Sequence, residues 1–410
     1  MKPLFNSIGS NYQFGDVVAT LSALVGVGTC TAQLEVTEQL KKWFAAKPFY
    51  FYKGRDAIEF ALRTADIGVG DIVISQAFSC YAIEEAVRRV GATVAYADID
   101  ESSCNMSVAT ISAALKRCAG EGTVKAVLVQ HVLGLPAESA AIRTLCKNES
   151  LLFIEDLAQG FGAKDSQNVL VGSMADLVIL SFGRDKIIDA VSGGACLVPD
   201  SSPLLERAKA EYSQIADRNV SQFTIIRELL YPFFTWKVRY LWSCGIGALL
   251  LKFFQLSGIF KSPIVADTAM AMPLPSAYFP LLLRQVSTVS ARVEQRKQKM
   301  QLYVDALKNA KVSMEFSSAF LQRSSGLRFP LLVENPKEVI DHLQKIKIYF
   351  SDRWYRSPVD CGTLSCQTTY KQGIAPVAEK MAVRMLNLPT HQGIQTDDIE
   401  RITAELARIL

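Results

Sequence analysis

A lysine interrupts otherwise apolar chain in the stretch SFGRDKIIDAVSGGACLV, residues 181–198, just after the strand-like run LVILSF. Lys186 is there either a solvated cation at a strand end or the reactive amine of an enzyme site. Upstream, LLFIEDLAQGFGA sets Asp156 directly after another apolar run, with Gln159 three residues on. A carboxylate so placed can bind a metal, cap a helix or pair with a cationic ligand. Ser181 stands at the end of the strand that leads to Lys186. Gly54 opens the helix-like GRDAIEFAL, where free amides and the helix dipole favour a phosphate. An amine nucleophile, a buried carboxylate and a phosphate cradle are the parts needed to hold pyridoxal phosphate. The amine condenses with the aldehyde, and the carboxylate keeps the pyridine nitrogen protonated so that the ring takes up electrons. Each residue alone has a plainer explanation as a turn, a cap or a solvated side chain. The ordered set is what is specific.

Those positions fall at the ends of elements that the apolar pattern defines. From about residue 50 to 198, helical and strand patterns alternate. GRDAIEFALRTADI reads as an amphipathic helix with Ile58, Ala61, Leu62 and Ala65 on one side. DIVISQ, ATVAYADID, VKAVLVQHV, LLFIED and LVILSF read as strands, and AIEEAVRRV, ISAALKRCAG and ESAAIRTLCKNE as the helices between them. Short apolar runs separated by helices predict parallel strands buried on both faces, hence a doubly wound α/β sheet. Ligands of such sheets sit beyond the carboxyl ends of the strands, which is where Asp156 and Lys186 lie.

The remainder is of a different character. Residues 205–225 read as helical and charged. Residues 231–260 are apolar and aromatic, but their longest uncharged run, 240–251, falls short of the roughly 20 residues of a membrane span. Lys237, Arg239, Lys252 and Lys261 punctuate or flank this segment, which suits either a membrane interface or a helical hairpin packed on the body or on another subunit. Residues 281–307 read as one long helix, 326–335 as a strand, PKEVIDHLQKI as a helix and IYFSDRW as a strand. VAEKMAVRMLNLP reads as a helix ending in an extended turn, and Asp397 is placed to cap the last helix. The apolar run 17–28 abuts Asp16 and ends before Thr29, which favours a buried N-terminal helix or strand over a cleaved signal. The chain divides into 1–204, 205–284 and 285–410.

Half of the 410 residues are apolar, a fifth are charged and the net charge is +4, a globular composition without the basic density of a nucleic-acid binder. Nine cysteines without paired spacing and only three histidines argue against a zinc site and for reduced thiols, the nearest thing to a pair being Cys361 and Cys366.

With these motifs in order, the chain resembles the DegT family of pyridoxal-phosphate-dependent sugar aminotransferases. IEDLAQGFGA is similar to that family's Glu-Asp-x-Ala-Gln element, SFGRDKIIDAVSGGA to its Ser-Phe-x-x-x-Lys…Gly-Gly element, and LNLPTHQGIQTDDIERI to its Leu-Pro-x-His segment. The resemblance implies a fold-type-I transferase, with a large domain on a mostly parallel, seven-stranded-type sheet and a smaller C-terminal α/β domain. It implies Lys186 as the covalent anchor and proton carrier, Asp156 on the pyridine nitrogen and Gln159 near the ring hydroxyl. Ser181, with the backbone of Gly54 and Arg55, would hold the phosphate. Relatives with His at the lysine position dehydrate their substrates, so Lys186 implies transamination, from an amino acid such as glutamate to a keto sugar, nucleotide-linked, by a cytoplasmic homodimer.

Two departures stand out. The family's ring-stacking aromatic aligns with Cys80, with Tyr81 adjacent, and its cross-subunit Asn-aromatic-Arg segment falls on residues 271–273, which read Ala-Met-Pro. These leave room for a lipid-linked or other ketone as acceptor, or for a relative retired from catalysis. His131 is expected beside the site, as a substrate contact or a structural histidine, and His391 to fix the turn before the last helix. Trp354 and Tyr355 either face a substrate or pack in a core.

Overall fold

The computed structural model describes residues 3–260, 270–350, 353–361 and 366–410; Lys261 and residues 351–352 of the expected strand 348–354 lie outside them. Its strands are β1 (Leu4–Phe5), β2 (Ala46–Phe51), β3 (Asp71–Gln76), β4 (Thr93–Ala97), β5 (Thr123–Gln130), β6 (Leu152–Asp156), β7 (Leu177–Ser181), β8 (Gly194–Pro199), β9 (Arg328–Leu332), β10 (Ile348–Tyr349) and β11 (Met385–Pro389). Seven form one sheet in the order β2-β8-β7-β6-β5-β3-β4, in which β8 alone runs antiparallel to its neighbours. Alternate residues feed two cores: Leu177 and Ile179 of β7 face one, Val178 and Leu180 the other. This is the sheet covered on both faces that the continuous apolar runs predict.

The five strands read from the sequence are all present, and two more, β8 and β2, extend the sheet beyond β7. Ala46–Phe51 carries Pro48, which suits an edge position because proline has no amide hydrogen for the ladder. Gly194–Pro199 begins at the second glycine of the pair 193–194.

Elsewhere the pattern misleads. Residues 205–225 are broken into Leu205–Ser213 and a second helix, Gln222–Leu229. The helix expected over 281–307 is two, Phe279–Ser287 and Val289–Asn309, parted at Thr288. MLNLP continues the preceding helical periodicity but is β11, drawn out by antiparallel pairing with β9. Among the described residues of the expected strand 348–354, Ile348–Tyr349 pairs with β1. The last helix, Thr396–Ile409, is capped by Gln395 and Asp398 in a reciprocal pair, while Asp397 stands in its first turn. Cys361 and Cys366, expected as free thiols, are joined as a disulfide, their Cα atoms 6.0 Å apart.

The run 17–28 is neither a strand nor fully buried. Phe14–Leu24 is a helix that buries Asp16, Val17, Thr20 and Ala23 and leaves Phe14, Val18 and Leu21 exposed. Residues 231–260 form a helical hairpin, Tyr231–Tyr240 and Ile246–Leu256, closed by the contact of Phe234 with Phe254 at 4.6 Å. Among the described residues, no helix is long and apolar enough to cross a membrane.

His391 closes the turn after β11, as expected. Its Nε2 donates to the Phe5 carbonyl at 2.7 Å and its Nδ1 accepts from the Gly393 amide at 3.1 Å. Burial, then Arg328, hold its pKa well below the ordinary 6.5, so the folded chain keeps the ring neutral. The unfolded chain binds a proton there as pH falls through 6.5 and the folded chain does not. Stability is therefore lost on acidification below that value, by up to about 1.4 kcal/mol per pH unit. The fall in melting temperature between about pH 7.5 and about pH 5.5 is expected to be shallower in His391→Gln, read by circular dichroism. An unchanged slope would show that His391 is not the titrating group.

Candidate active site

The helix Gly54–Thr64 begins three residues after β2, and its first turn is pressed against the carboxyl end of the sheet. A Cβ on Gly54 would lie 3.1 Å from Ser181 Oγ, and one on Gly194 would lie 2.6 Å from Gly54 Cα. The first amides of a helix have no partner within it and carry the positive end of its dipole, so the chain presents them beside the Ser181 hydroxyl. Donors of this kind suit an anion such as a phosphate. The Arg55 guanidinium is engaged with Glu85, so what Arg55 offers the cradle is its amide.

Asp156 ends β6, the central strand of the seven, and is 4% exposed. Its Oδ2 accepts from Gln130 Nε2 at 3.0 Å and its Oδ1 from the Ala158 amide at 2.9 Å. Burial pushes its pKa up; the Gln130 amide, the Ala158 N–H and the Lys186 charge act the other way. A carboxylate in that balance favours a cationic N–H as its next partner, and each oxygen retains accepting capacity for one.

Lys186 sits in a loop whose shape is set by one buried carboxylate that the sequence reading passed over. Asp189 accepts from the Asp185 amide at 2.9 Å, the Val191 amide at 3.2 Å, Asn11 Nδ2 at 3.1 Å and the Tyr12 hydroxyl. Asn11 Nδ2 also reaches the Lys186 carbonyl at 3.3 Å. The loop thus folds around Asp189 and aims Lys186 Nζ back over the strand ends, where its charge acts on both Asp156 and Cys80. The Nζ lies 4.9 Å from the centre of the Trp354 ring.

The other expected residues divide. Cys80 is at the site, its thiol pKa raised by burial and sensitive to Lys186 and Asp156. Tyr81 is half-buried beside it, and its hydroxyl accepts from Arg88 of the next helix at 3.2 Å. Gln159 accepts from the Leu133 amide at 2.6 Å and donates to the Tyr355 hydroxyl at 2.8 Å. His131 is fully buried, its Nδ1 accepting from the Ala137 amide at 3.0 Å and its Nε2 bonded to Glu155 at 3.0 Å. Both ring nitrogens are spent inside the fold, so His131 supports the floor of the site. Residues 271–273 run along the edge of β2, where the Met272 carbonyl accepts from the Tyr52 amide at 2.9 Å and Phe51 bridges Pro273.

Phosphate cradle, buried carboxylate and amine lie on one edge of one sheet, and a flat phosphorylated pyridine aldehyde fits the donors and acceptors they present. Gln130, Asp189 and Asn11 carry no motif; only their long-range partners identify them.

A model of the DegT/DnrJ/EryC1/StrS aminotransferase family matches residues 50–219 and 269–407. UDP-N-acetyl-3-dehydro-alpha-D-glucosamine 3-aminotransferase of Acidithiobacillus ferrooxidans is 38% identical over 152 residues, which is 37% of this chain and 39% of that relative. The chain therefore matches about two fifths of that relative's length. dTDP-3-amino-3,4,6-trideoxy-alpha-D-glucose transaminase of Micromonospora megalomicea is 23% identical over 374 residues, 87% of this chain and 83% of that one. The crystal structure of a DegT/DnrJ/EryC1/StrS aminotransferase from Brucella abortus superposes with a TM-score of 0.73 at 23% identity, covering 96% of this chain and 95% of that one, and shows a shared fold. The chain belongs to the DegT/DnrJ/EryC1/StrS aminotransferase family, a family of pyridoxal-phosphate-dependent enzymes of fold type I.

Proposed function

We propose that the chain is a pyridoxal-phosphate-dependent aminotransferase that moves an amino group from an amino acid, glutamate in the first instance, to a nucleotide-linked keto sugar, in the making of amino sugars or surface polysaccharide. The observation that carries this reading is the convergence of Gly54, Asp156, Ser181 and Lys186 on one sheet edge. The sugar is supported by the names of relatives that aminate nucleotide-linked sugars. When bound, the cofactor supplies an aldehyde that takes the amino group and a ring that takes up electrons.

The chain's own residues do the rest. Lys186 Nζ would hold the aldehyde carbon and would act there as the base and then the acid that moves the proton. Asp156 would keep the ring nitrogen protonated. The Ser181 hydroxyl and the amides of Gly54 and Arg55 would hold the phosphate and so orient the group. Gln159, braced by the Leu133 amide and the Tyr355 hydroxyl, would sit near the ring hydroxyl. The reading carries with it a cytoplasmic homodimer, with a partner subunit closing the site beside residues 271–273.

A second feature bears on the acceptor. Ile246, Leu249, Phe253 and Leu256 form an exposed stripe at helical spacing, with Leu249 71% and Phe253 60% exposed. Phe14, 66% exposed, meets Trp236 at 6.2 Å and extends the apolar surface to Val18 and Leu21. The segment 231–260 holds Lys237 and Lys252 and no acidic residue, while its Arg239 turns inward to the Ile8 and Tyr12 carbonyls. A face both apolar and cationic suits an anionic lipid surface, and it raises a lipid-linked keto sugar as an alternative acceptor.

Purified protein given pyridoxal phosphate is expected to show a visible absorption band that bleaches with glutamate, and Lys186→Ala to lose at least about 10³-fold in turnover. Gly54→Ala is expected to raise the Kd for the cofactor about tenfold by crowding Ser181. Protein that takes up no cofactor sinks the reading. In flotation with phosphatidylglycerol-containing vesicles the wild type is expected to rise with lipid, and a Leu249→Glu, Phe253→Glu variant to stay below. Association of the wild type into larger particles without lipid, relieved in that variant, would assign the stripe to a second copy of the chain.

A further inference from the structure

Residues 353–361 form a strap that crosses from the C-terminal elements to the carboxyl edge of the sheet, and it is tied at both ends. At one end the Trp354 amide donates to Asn387 Oδ1 at 2.5 Å, and Asn387 Nδ2 donates to the Trp354 carbonyl at 3.0 Å. Asn387 lies in the middle of β11, so this anchor is built into a strand. At the other end the Val359 amide donates to the Ala77 carbonyl at 2.8 Å and the Asp360 amide to the Ser79 carbonyl at 2.8 Å. The Tyr81 amide returns a bond to the Asp360 carbonyl at 3.1 Å.

Between these ties the strap delivers two aromatic rings to the site. The Trp354 indole lies 4.9 Å from Lys186 Nζ and 5.4 Å from the Arg328 guanidinium carbon. Tyr355, 3% exposed, takes the Gln159 amide on its hydroxyl and meets Phe78 edge-on at 5.4 Å. The phenol also lies within electrostatic reach of Asp156. Cys80 itself, bridged to Asp360 of the strap, offers a small thiol where a flat ring would need a broad apolar face. An aromatic side chain buries roughly 150–250 Å² and stacks favourably on another ring. A thiol does neither.

We propose that Trp354 and Tyr355 form the aromatic wall of the cofactor site, supplying from the strap the face that Cys80 does not. The wall rests on the reading of the site as one for pyridoxal phosphate. In a merely structural role the two rings would pack the strap onto the sheet, and any bulky apolar side chain would serve.

The test is titration of the cofactor-free full chain with pyridoxal phosphate, with Kd read from the visible absorption band and from quenching of tryptophan fluorescence. Trp354→Leu keeps apolar bulk at a half-buried position and removes the ring; it is expected to raise Kd about tenfold, while Trp354→Phe stays within about threefold of the wild type. Cys80→Phe placed in the Trp354→Leu background is expected to recover most of that loss, because it restores a ring by the other route. Tyr355→Leu adds a further rise in Kd, with folding checked by circular dichroism. Wild-type affinity in Trp354→Leu overturns the proposal and leaves the aminotransferase reading standing. No binding by the wild type removes both.

Discussion

At the carboxyl edge of the sheet, the backbones of residues 54, 181 and 194 meet at a distance that side chains would forbid. A Cβ on Gly194 would strike Gly54 Cα at 2.6 Å and the Leu180 carbonyl at 2.8 Å. That close approach is the constraint on which the rest of the site depends. It lets the parallel bridge between Lys53 and Gly193 form, which pins the start of the helix Gly54–Thr64 to the end of β7 and the start of β8. With the helix so pinned, its dipole and its first amides point at Ser181, and the lysine five residues beyond Ser181 is committed to the same edge.

Holding that helix in place carries a cost in buried charge. It is not an amphipathic helix with a wet face: Arg55, Asp56 and Glu59 are buried along with Ile58 and Leu62. The charges are met by Glu85 and Arg89 of the neighbouring helix Ala82–Arg89. Arg55 pairs with Glu85, and Arg89 with Asp56 at 3.0 Å, Glu85 at 2.6 Å and Glu59 at 3.5 Å. Removing one member of such a buried network leaves an uncompensated charge, at about 3–5 kcal/mol. The network adds direction that apolar packing lacks, because it fixes the rotation of one helix against the other and so the aim of the amides at its start.

How much of this was legible follows from the range of each interaction. The parallel strands were readable because each is a continuous apolar run, and the reactive set because Asp156, Ser181 and Lys186 all fall where such runs stop. Ala46–Phe51 was hidden by its proline, and β11 by helical periodicity that only the pairing with β9 overrides. The sequence leaves Cys80 and Tyr81 one residue apart as candidates for the ring position, and in the structure the Tyr81 hydroxyl turns to Arg88. Asp189 and Asn387 have no local signature at all. Each acts on backbone far away in the chain, and nothing in residue type or spacing distinguishes them from an ordinary turn aspartate or strand asparagine.

The same distance in sequence explains why the amine depends on elements that carry no reacting group. Arg296, on the helix Val289–Asn309, donates to Asn11 Oδ1 at 2.8 Å, to the Leu327 carbonyl at 3.1 Å and to Thr390 Oγ1 at 2.9 Å. One guanidinium thereby joins the N-terminal segment, the lead-in to β9 and the exit from β11. Burial draws its pKa down to about 9, which leaves it charged at neutral pH and bonded to all three. Asn11, held by Arg296 on its oxygen, spends its nitrogen on Asp189 and on the Lys186 carbonyl. The position of the lysine is therefore set from the C-terminal half through a single asparagine side chain, while Trp354, fixed by β11, approaches the same amine from that half as well. Two independent paths from the C-terminal elements converge on Lys186, one on its backbone and one on its side chain. The site is thus specified by how those elements dock on the sheet as much as by the strand ends that carry its reactive groups.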